Sequence, residues 1–321
     1  MHEGWAGAQH AFANPNAVTL LGSVDKLVFP SRGAVRRRSA VGMRPPGRDH
    51  DCNSAPIRAF WRGIWKSGSG QGVAMHWKDV IAGEVVPMAE GDVDGAIRLL
   101  RTASVRELRD EAFLREELLL TLGLNGEILD EFPRQLYPWC GRGIRSWQYP
   151  IQFARFLTCL ADRNIRSYVE IGCRFGGTFI IVVEYLRRFG DLKMATAFDI
   201  GGAEIMASYA KRTIGIDYRI ANSRDPDTIS YLGSRTWDLA FIDGDHSYEG
   251  CSTDFQTMKD CARLIALHDI ASSACPDVVA FWQEIRRLVP ASRIFEAIDQ
   301  YRDVRERTGR TFLGIGLIDF S

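Results

Sequence analysis

Trp237-Asp238-Leu239-Ala240-Phe241-Ile242-Asp243-Gly244-Asp245-His246-Ser247-Tyr248-Glu249-Gly250 changes character once, at Asp243. Leu239–Ile242 is a short apolar run with the profile of a strand buried on both faces. Asp243, Asp245 and His246 follow at once, before the polar opening of a helix at Ser247. In open α/β sheets the carboxyl ends of the strands face the ligand crevice. The stretch therefore predicts a parallel sheet with its chemistry at a strand tip, and Asp243 and His246 are the candidate catalytic residues.

Outward from this point the same alternation repeats. Upstream, strands are expected at Ser167–Ile171, Met194–Phe198 and Asp217–Ile220, separated by helices at Thr178–Phe189, Ala203–Thr213 and Asp225–Leu232. Downstream come a helix over Ser247–Cys261, a strand at Leu264–Leu267 and a helix at Pro276–Leu288 with proline in its first turn. Arg293–Ile298 and Leu313–Ile318 flank a polar loop and read as a closing antiparallel pair. Strands alternating with helices imply a doubly wound α/β fold, here a seven-stranded, mostly parallel sheet over residues 146–321.

The residues before it differ. Residues 1–74 carry Pro, Gly, Ser and Asn with no sustained period, and read as a disordered leader. Residues 75–145 read as a helical cap. In it Ser104 and Glu107 form a capping box for a helix expected to run to Leu122, closed by Gly123. A further short helix is expected over Gly126–Phe132, and Trp147 and Tyr149 precede a helix along Ile151–Leu160.

Bulk properties narrow the function classes. Of 321 residues, 46% are hydrophobic and 25% charged, and formal net charge is zero. That balance gives no electrostatic case for nucleic acid or an anionic membrane. Seven cysteines without a C-x-x-C pair argue against a disulfide framework and a zinc ribbon. No apolar run nears the roughly 20 residues needed to span a bilayer, and a cytoplasmic protein is expected. The expected partner is a small-molecule acceptor, with a homo-oligomer left open.

Four further groups lie at predicted strand tips. Val169-Glu170-Ile171-Gly172-Cys173-Arg174-Phe175-Gly176-Gly177-Thr178 is a glycine turn that lets a ligand approach bare backbone. Its spacing departs from G-x-G-x-x-G, and the carboxylate of Glu170 suits a ligand bearing a cationic group. Glu170, Gly172, Cys173, Gly176, Gly177 and Thr178 are thus cofactor-binding candidates. Asp199 follows Gly172 by 27 positions and is placed to accept both hydroxyls of a ribose; Asn222 and Ser223 occupy the next tip, where an adenine could be met. Last, His268-Asp269 ends the strand expected beside the first, so Asp243 and Asp269 would emerge together. Two such carboxylates repel unless a cation lies between them, and a hard divalent ion such as Mg2+ suits oxygen ligands. His268 is counted with Asp243 and Asp269 in the metal set, although alone it reads more simply as a structural partner. His246 would be the general base, with a reference pKa of about 6.5. Zinc is disfavoured because no cysteine joins the cluster at ligand spacing.

On E-I-G-C-R-F-G-G-T-F, F-D-I ending at Ile200, F-I-D-G-D-H-S-Y-E-G and A-L-H-D-I ending at Ile270, the segment from Trp147 to Ile318 resembles class I S-adenosylmethionine-dependent methyltransferases. Within them it is similar to the group of macrolide-sugar O-methyltransferases and the cephalosporin hydroxylase family. The resemblance implies a Rossmann-like methyltransferase fold, with S-adenosylmethionine held by Glu170, Gly172, Gly176 and Asp199. It implies a divalent metal on Asp243 and Asp269, and deprotonation of the acceptor by His246. Two departures stand out: His268 replaces the acidic residue usual before the second metal aspartate, and Asp260-Cys261-Ala262-Arg263 replaces Pro-Gly-Gly. The expected activity is metal-assisted O-methylation of a small-molecule hydroxyl on a sugar, natural product or phenol. The alternatives are a nicotinamide-dependent oxidoreductase and a non-catalytic methyltransferase-like protein. Substrate selection is expected from the cap and from the turns around Trp147 and Tyr248.

Overall fold

Seven strands form one sheet: β1 (Ser167–Ile171), β2 (Met194–Asp199), β3 (Ile216–Ile220), β4 (Trp237–Ile242), β5 (Ala262–Leu267), β6 (Ile294–Ala297) and β7 (Ile315–Asp319). This computed structural model describes residues 85–321; the leader expected over 1–74 and the start of the cap lie outside the described residues. The strand order is β3-β2-β1-β4-β5-β7-β6. β1 to β5 pair in parallel, while β7 runs antiparallel to both β5 and β6. The doubly wound, seven-stranded sheet is thus as the alternation implied.

Side chains along the central strands alternate between two cores because the strand period is two. Leu239 and Phe241 of β4 join one apolar cluster, and Trp237, Ala240 and Ile242 join the other. Leu264 and Ala266 of β5 divide from Ile265 and Leu267 in the same way. Both faces are covered, so β4 and β5 read as continuous apolar runs.

Ahead of the sheet, α1 (Val93–Thr102) packs on α3 (Gly177–Phe189), and α2 (Pro150–Leu160) leads into β1. The carboxylate of Glu184 on α3 is fully buried, yet it accepts from Arg101 of α1 at 2.7 Å and from the Tyr209 hydroxyl at 2.7 Å. Val93, Leu100, Leu108 and Leu114 share the cluster of Phe179 and Ile180, so the helical segment is continuous with the main core.

The predicted helix from Ser104 to Leu122 is corrected. Its capping box is present, but the helix it opens spans only Val105–Leu108. Asp110 then caps a second start, accepting from Ala112 and Phe113 amides, and Leu114–Leu118 continues in π geometry to Leu119–Leu122. A second capping side chain competes for the backbone and splits one helix into two. The helix expected at Gly126–Phe132 reduces to a 3-10 turn at Leu129–Glu131, and the polar loop before β7 contains α8 (Arg302–Thr308).

The remaining helices are α4 (Glu204–Arg212), α5 (Pro226–Gly233), α6 (Tyr248–Lys259) and α7 (Pro276–Leu288). Where β1 ends, Gly172 adopts φ +86°, and a Cβ there would lie 2.1 Å from the carbonyl oxygen of Asp243. The β1 and β4 tips approach this closely because position 172 has no side chain. Gly172→Ala combines a left-handed backbone with a steric clash, so a loss of at least about 2 kcal/mol is expected; urea denaturation measures it.

Candidate active site

The tips of β1 to β5 open on one cavity of about 780 Å3. The glycine turn after β1, Asp199 at the end of β2, and Asn222 and Ser223 after β3 line it on one side of β1. Asp243, Asp245 and His246 after β4, with His268 and Asp269 after β5, line it on the other. Parallel pairing of β4 with β5 carries the two polar tips together: the His268 amide donates to the Ile242 carbonyl at 3.0 Å.

The result is a compact cluster. His268 Nδ1 lies 2.9 Å from Asp243 Oδ1 and 3.7 Å from Asp269 Oδ2, and His246 Nε2 lies 3.4 Å from each carboxylate. Burial alone would raise Asp243, but the charge of His268 and hydrogen bonds from both histidines pull its carboxyl down to about 2. Hydrogen bonds to Asp243 and to Cys275 raise His246 to about 11 against its own burial. Burial opposes the charge on His268, but Asp243 and Asp269 outweigh it and raise the ring to about 8. Asp269 holds φ +60°, a conformation that costs a non-glycine residue and fixes its carboxylate at the β5 tip.

Ligand atoms of Asp243, His268 and Asp269 lie within 4.8 Å of one another, and His268 Nε2 is buried without a hydrogen-bond partner. This set fits a divalent ion: the two carboxylates suit magnesium or manganese, and the imidazole extends the choice to later transition metals. One cysteine does approach the cluster. Cys275, at the N-terminus of α7, reaches the cluster from outside any ligand spacing, with Sγ 3.3 Å from Asp269 Oδ2 and 3.6 Å from His246 Nδ1.

On the other side Glu170 is buried and its carboxylate accepts from the Tyr168 hydroxyl. Burial drives its carboxyl up to about 8; the Tyr168 hydrogen bond opposes this and the nearby Asp243 charge adds to it. Asp199 accepts from the Arg174 amide at 2.6 Å and the Gly201 amide at 2.8 Å, which fixes its orientation while leaving carboxylate lone pairs for a further donor. A Cβ on Gly176 would meet Met206, and one on Gly177 would meet the Ile144 carbonyl oxygen at 2.3 Å. At these two positions the protein's own packing already demands glycine. Cys173 and Thr178 are nearly buried at the cavity wall. Asn222 Oδ1 accepts from the Arg224 amide at 3.0 Å.

Asp254 on α6 is a buried carboxylate whose Oδ2 has no hydrogen-bond partner. Burial pushes it up to about 6 from the ordinary 3.8, against the nearby Ser223 hydroxyl and the charge of Arg224. The native state therefore binds this proton more tightly than the unfolded chain does. Its contribution is full below pH 3.8 and is lost as pH rises through about 6. Asp254→Asn is accordingly expected to stabilise the protein at pH 7.5 by up to about 3 kcal/mol and to change little at pH 3.5, as read by urea denaturation at the two pH values.

Asp245 accepts from the Ser247 amide at 2.9 Å and pairs with Arg224 at 3.0 Å, so it ties two rim loops together. Tyr248 does not face the cavity: its hydroxyl donates to Glu284 at 2.6 Å and its ring packs edge-on against Phe281. Of the aromatic pair before α2, Trp147 lines the cavity, while Tyr149 is buried between Phe132 and Tyr301. The Trp147 indole donates at 3.0 Å to Glu131, a cavity residue that sequence reasoning missed. Burial raises the Glu131 carboxyl, the Trp147 hydrogen bond lowers it, and the charge of Asp269 raises it further. Its only signal in the sequence was an acidic residue beside Phe132 and Pro133.

Residues 169–270 match a family model described as a methyltransferase domain. This segment of the chain is similar to a methyltransferase domain. The match spans the glycine turn, Asp199, the β4 tip and His268-Asp269. Similar solved structures include an O-methyltransferase from Bacillus cereus in complex with SAH, at 14% identity over 52% of this chain and 80% of that one, TM-score 0.37. Another is the O-methyltransferase TomG from Streptomyces achromogenes, involved in tomaymycin synthesis and in complex with SAM, at 14% identity over 54% and 82%, TM-score 0.38. A third is the 1,6-didemethyltoxoflavin-N1-methyltransferase of Burkholderia thailandensis, at 15% identity over 54% and 77%, TM-score 0.34. No curated protein matches the chain. Among the described residues no helix is long and apolar enough to cross a membrane.

Proposed function

We propose that the chain methylates a hydroxyl of a small-molecule acceptor with assistance from a divalent cation. The observation that carries this reading is the meeting of Asp243, His246, His268 and Asp269 in the same cavity as the glycine turn and Asp199. S-adenosylmethionine, when bound, supplies an electrophilic methyl on a sulfonium. Glu170 would face its cationic amino group, Asp199 its ribose hydroxyls, and Asn222 and Ser223 its adenine.

Asp243, Asp269 and His268 would hold the cation, whose chemistry there is to lower the pKa of the acceptor hydroxyl. His246 would take the hydroxyl proton. It can do so only when Asp243 and Asp269 are engaged elsewhere, because their charge otherwise keeps its ring protonated. Glu131 and Trp147 line the same cavity and would orient a polar acceptor. The protein's contribution is then positioning and charge stabilisation.

The test is transfer of labelled methyl to a panel of sugars, phenols and amines before and after chelation. Hydroxyl methylation that falls at least about tenfold on chelation and returns with Mg2+ or Mn2+ supports the reading. Methylation of amines alone, indifferent to chelation, overturns it.

A further inference from the structure

Cys275 has no part in the proposed transfer, yet its sulfur touches the base and one of the two metal carboxylates. Cys275 Sγ stands 3.6 Å from His246 Nδ1 and 3.3 Å from Asp269 Oδ2, and the ligand atoms of the three residues lie within 4.8 Å of one another. Around a tetrahedral ion with a sulfur bond of about 2.3 Å and nitrogen or oxygen bonds of about 2.0–2.1 Å, neighbouring ligand atoms fall about 3.3–3.6 Å apart. The sulfur's two observed separations are of that size. Cys275 and His246 also line a shallow hollow with Ser247 and Asp277, so the group is open to solvent on a second side.

We propose that Cys275, His246 and Asp269 form a site for a thiophilic divalent cation of the zinc class, which shares only Asp269 with the Asp243–His268–Asp269 group. A thiolate selects such an ion where carboxylates alone do not. Binding forms three coordinate bonds, and the thiol proton and the imidazole proton leave to solvent. The cavity supplies the remaining position. Asp269 belongs to both groups, so an ion in one excludes the full donor set of the other. His246 Nδ1 is engaged at the same time, which locks the ring. Resting on His246 as the base, the consequence is a methyl transfer that magnesium or manganese supports and zinc arrests.

Cobalt titration of the full chain, followed by absorbance, tests the site without relying on activity. The protein is expected to take one Co2+ with an intense near-ultraviolet thiolate-to-metal band. Cys275→Ser should remove the band while circular dichroism shows the fold retained, and Asp243→Asn should keep it. Zinc should then bleach the cobalt spectrum of the unaltered chain. No band in the unaltered chain, or a band that survives in Cys275→Ser, overturns the proposal. Because the readout is spectroscopic, a chain that binds cobalt but methylates no hydroxyl would refute the transfer reading alone.

Discussion

His246→Ala is expected to lower kcat by roughly 10²–10⁴-fold while leaving S-adenosylmethionine affinity unchanged. The ring sits on the cavity rim, 3.4 Å from each of Asp243 and Asp269, on the β4 side of β1, whereas Asp199 ends β2 on the other side. Removing it takes away the acceptor of the hydroxyl proton but no group facing the cofactor. Steady-state kinetics beside calorimetry separate the two effects. A variant with full kcat would remove His246 as the base, and one that also lost cofactor affinity would show a structural role instead.

Glu170→Gln is expected to weaken S-adenosylmethionine binding at pH 8 by at least about tenfold. It should also abolish a pH dependence that the unaltered chain shows. With its carboxyl near 8, Glu170 is mostly protonated in the ligand-free protein at pH 7. A cationic amino group favours the ionised form, so binding releases a proton. Affinity should therefore rise as pH increases towards 8, by about tenfold per unit at the steepest, and level off above. Calorimetry in two buffers of different ionisation enthalpy reads the released proton directly. A flat profile in the unaltered chain would mean that Glu170 does not meet the cofactor's charge.

Much of this site was legible because strand tips obey strong rules. An apolar run that ends abruptly in Asp243 marks both a buried strand and its exposed end, and Asp269 was paired with it because β5 follows β4 and lies beside it in the sheet. What escaped has a common cause. Cys275 and Glu131 reach the cavity from a helix N-terminus and a 3-10 turn, where no period ties residue spacing to direction. Tyr248 stands beside the polar tip in sequence, but the first turn of α6 rotates its side chain towards Glu284 on α7, while Asp245 and His246 of the preceding turn line the cavity. The glycine turn lines the cavity, and at Gly172 and Gly177 neighbouring backbone also occupies the space a Cβ would need, which spacing alone could not reveal. The broken cap helix depended on competition between Ser104 and Asp110, two adequate caps that only packing could arbitrate.

The sheet departs from a nicotinamide-binding order in one respect: antiparallel β7 is inserted between β5 and β6. Calorimetric titration of the full chain with S-adenosylmethionine and, separately, with NADH tests the central claim most directly. The expected result is saturable binding of S-adenosylmethionine, weakened in Asp199→Ala, with no heat from NADH. Binding of NADH in the absence of any S-adenosylmethionine signal would contradict the account.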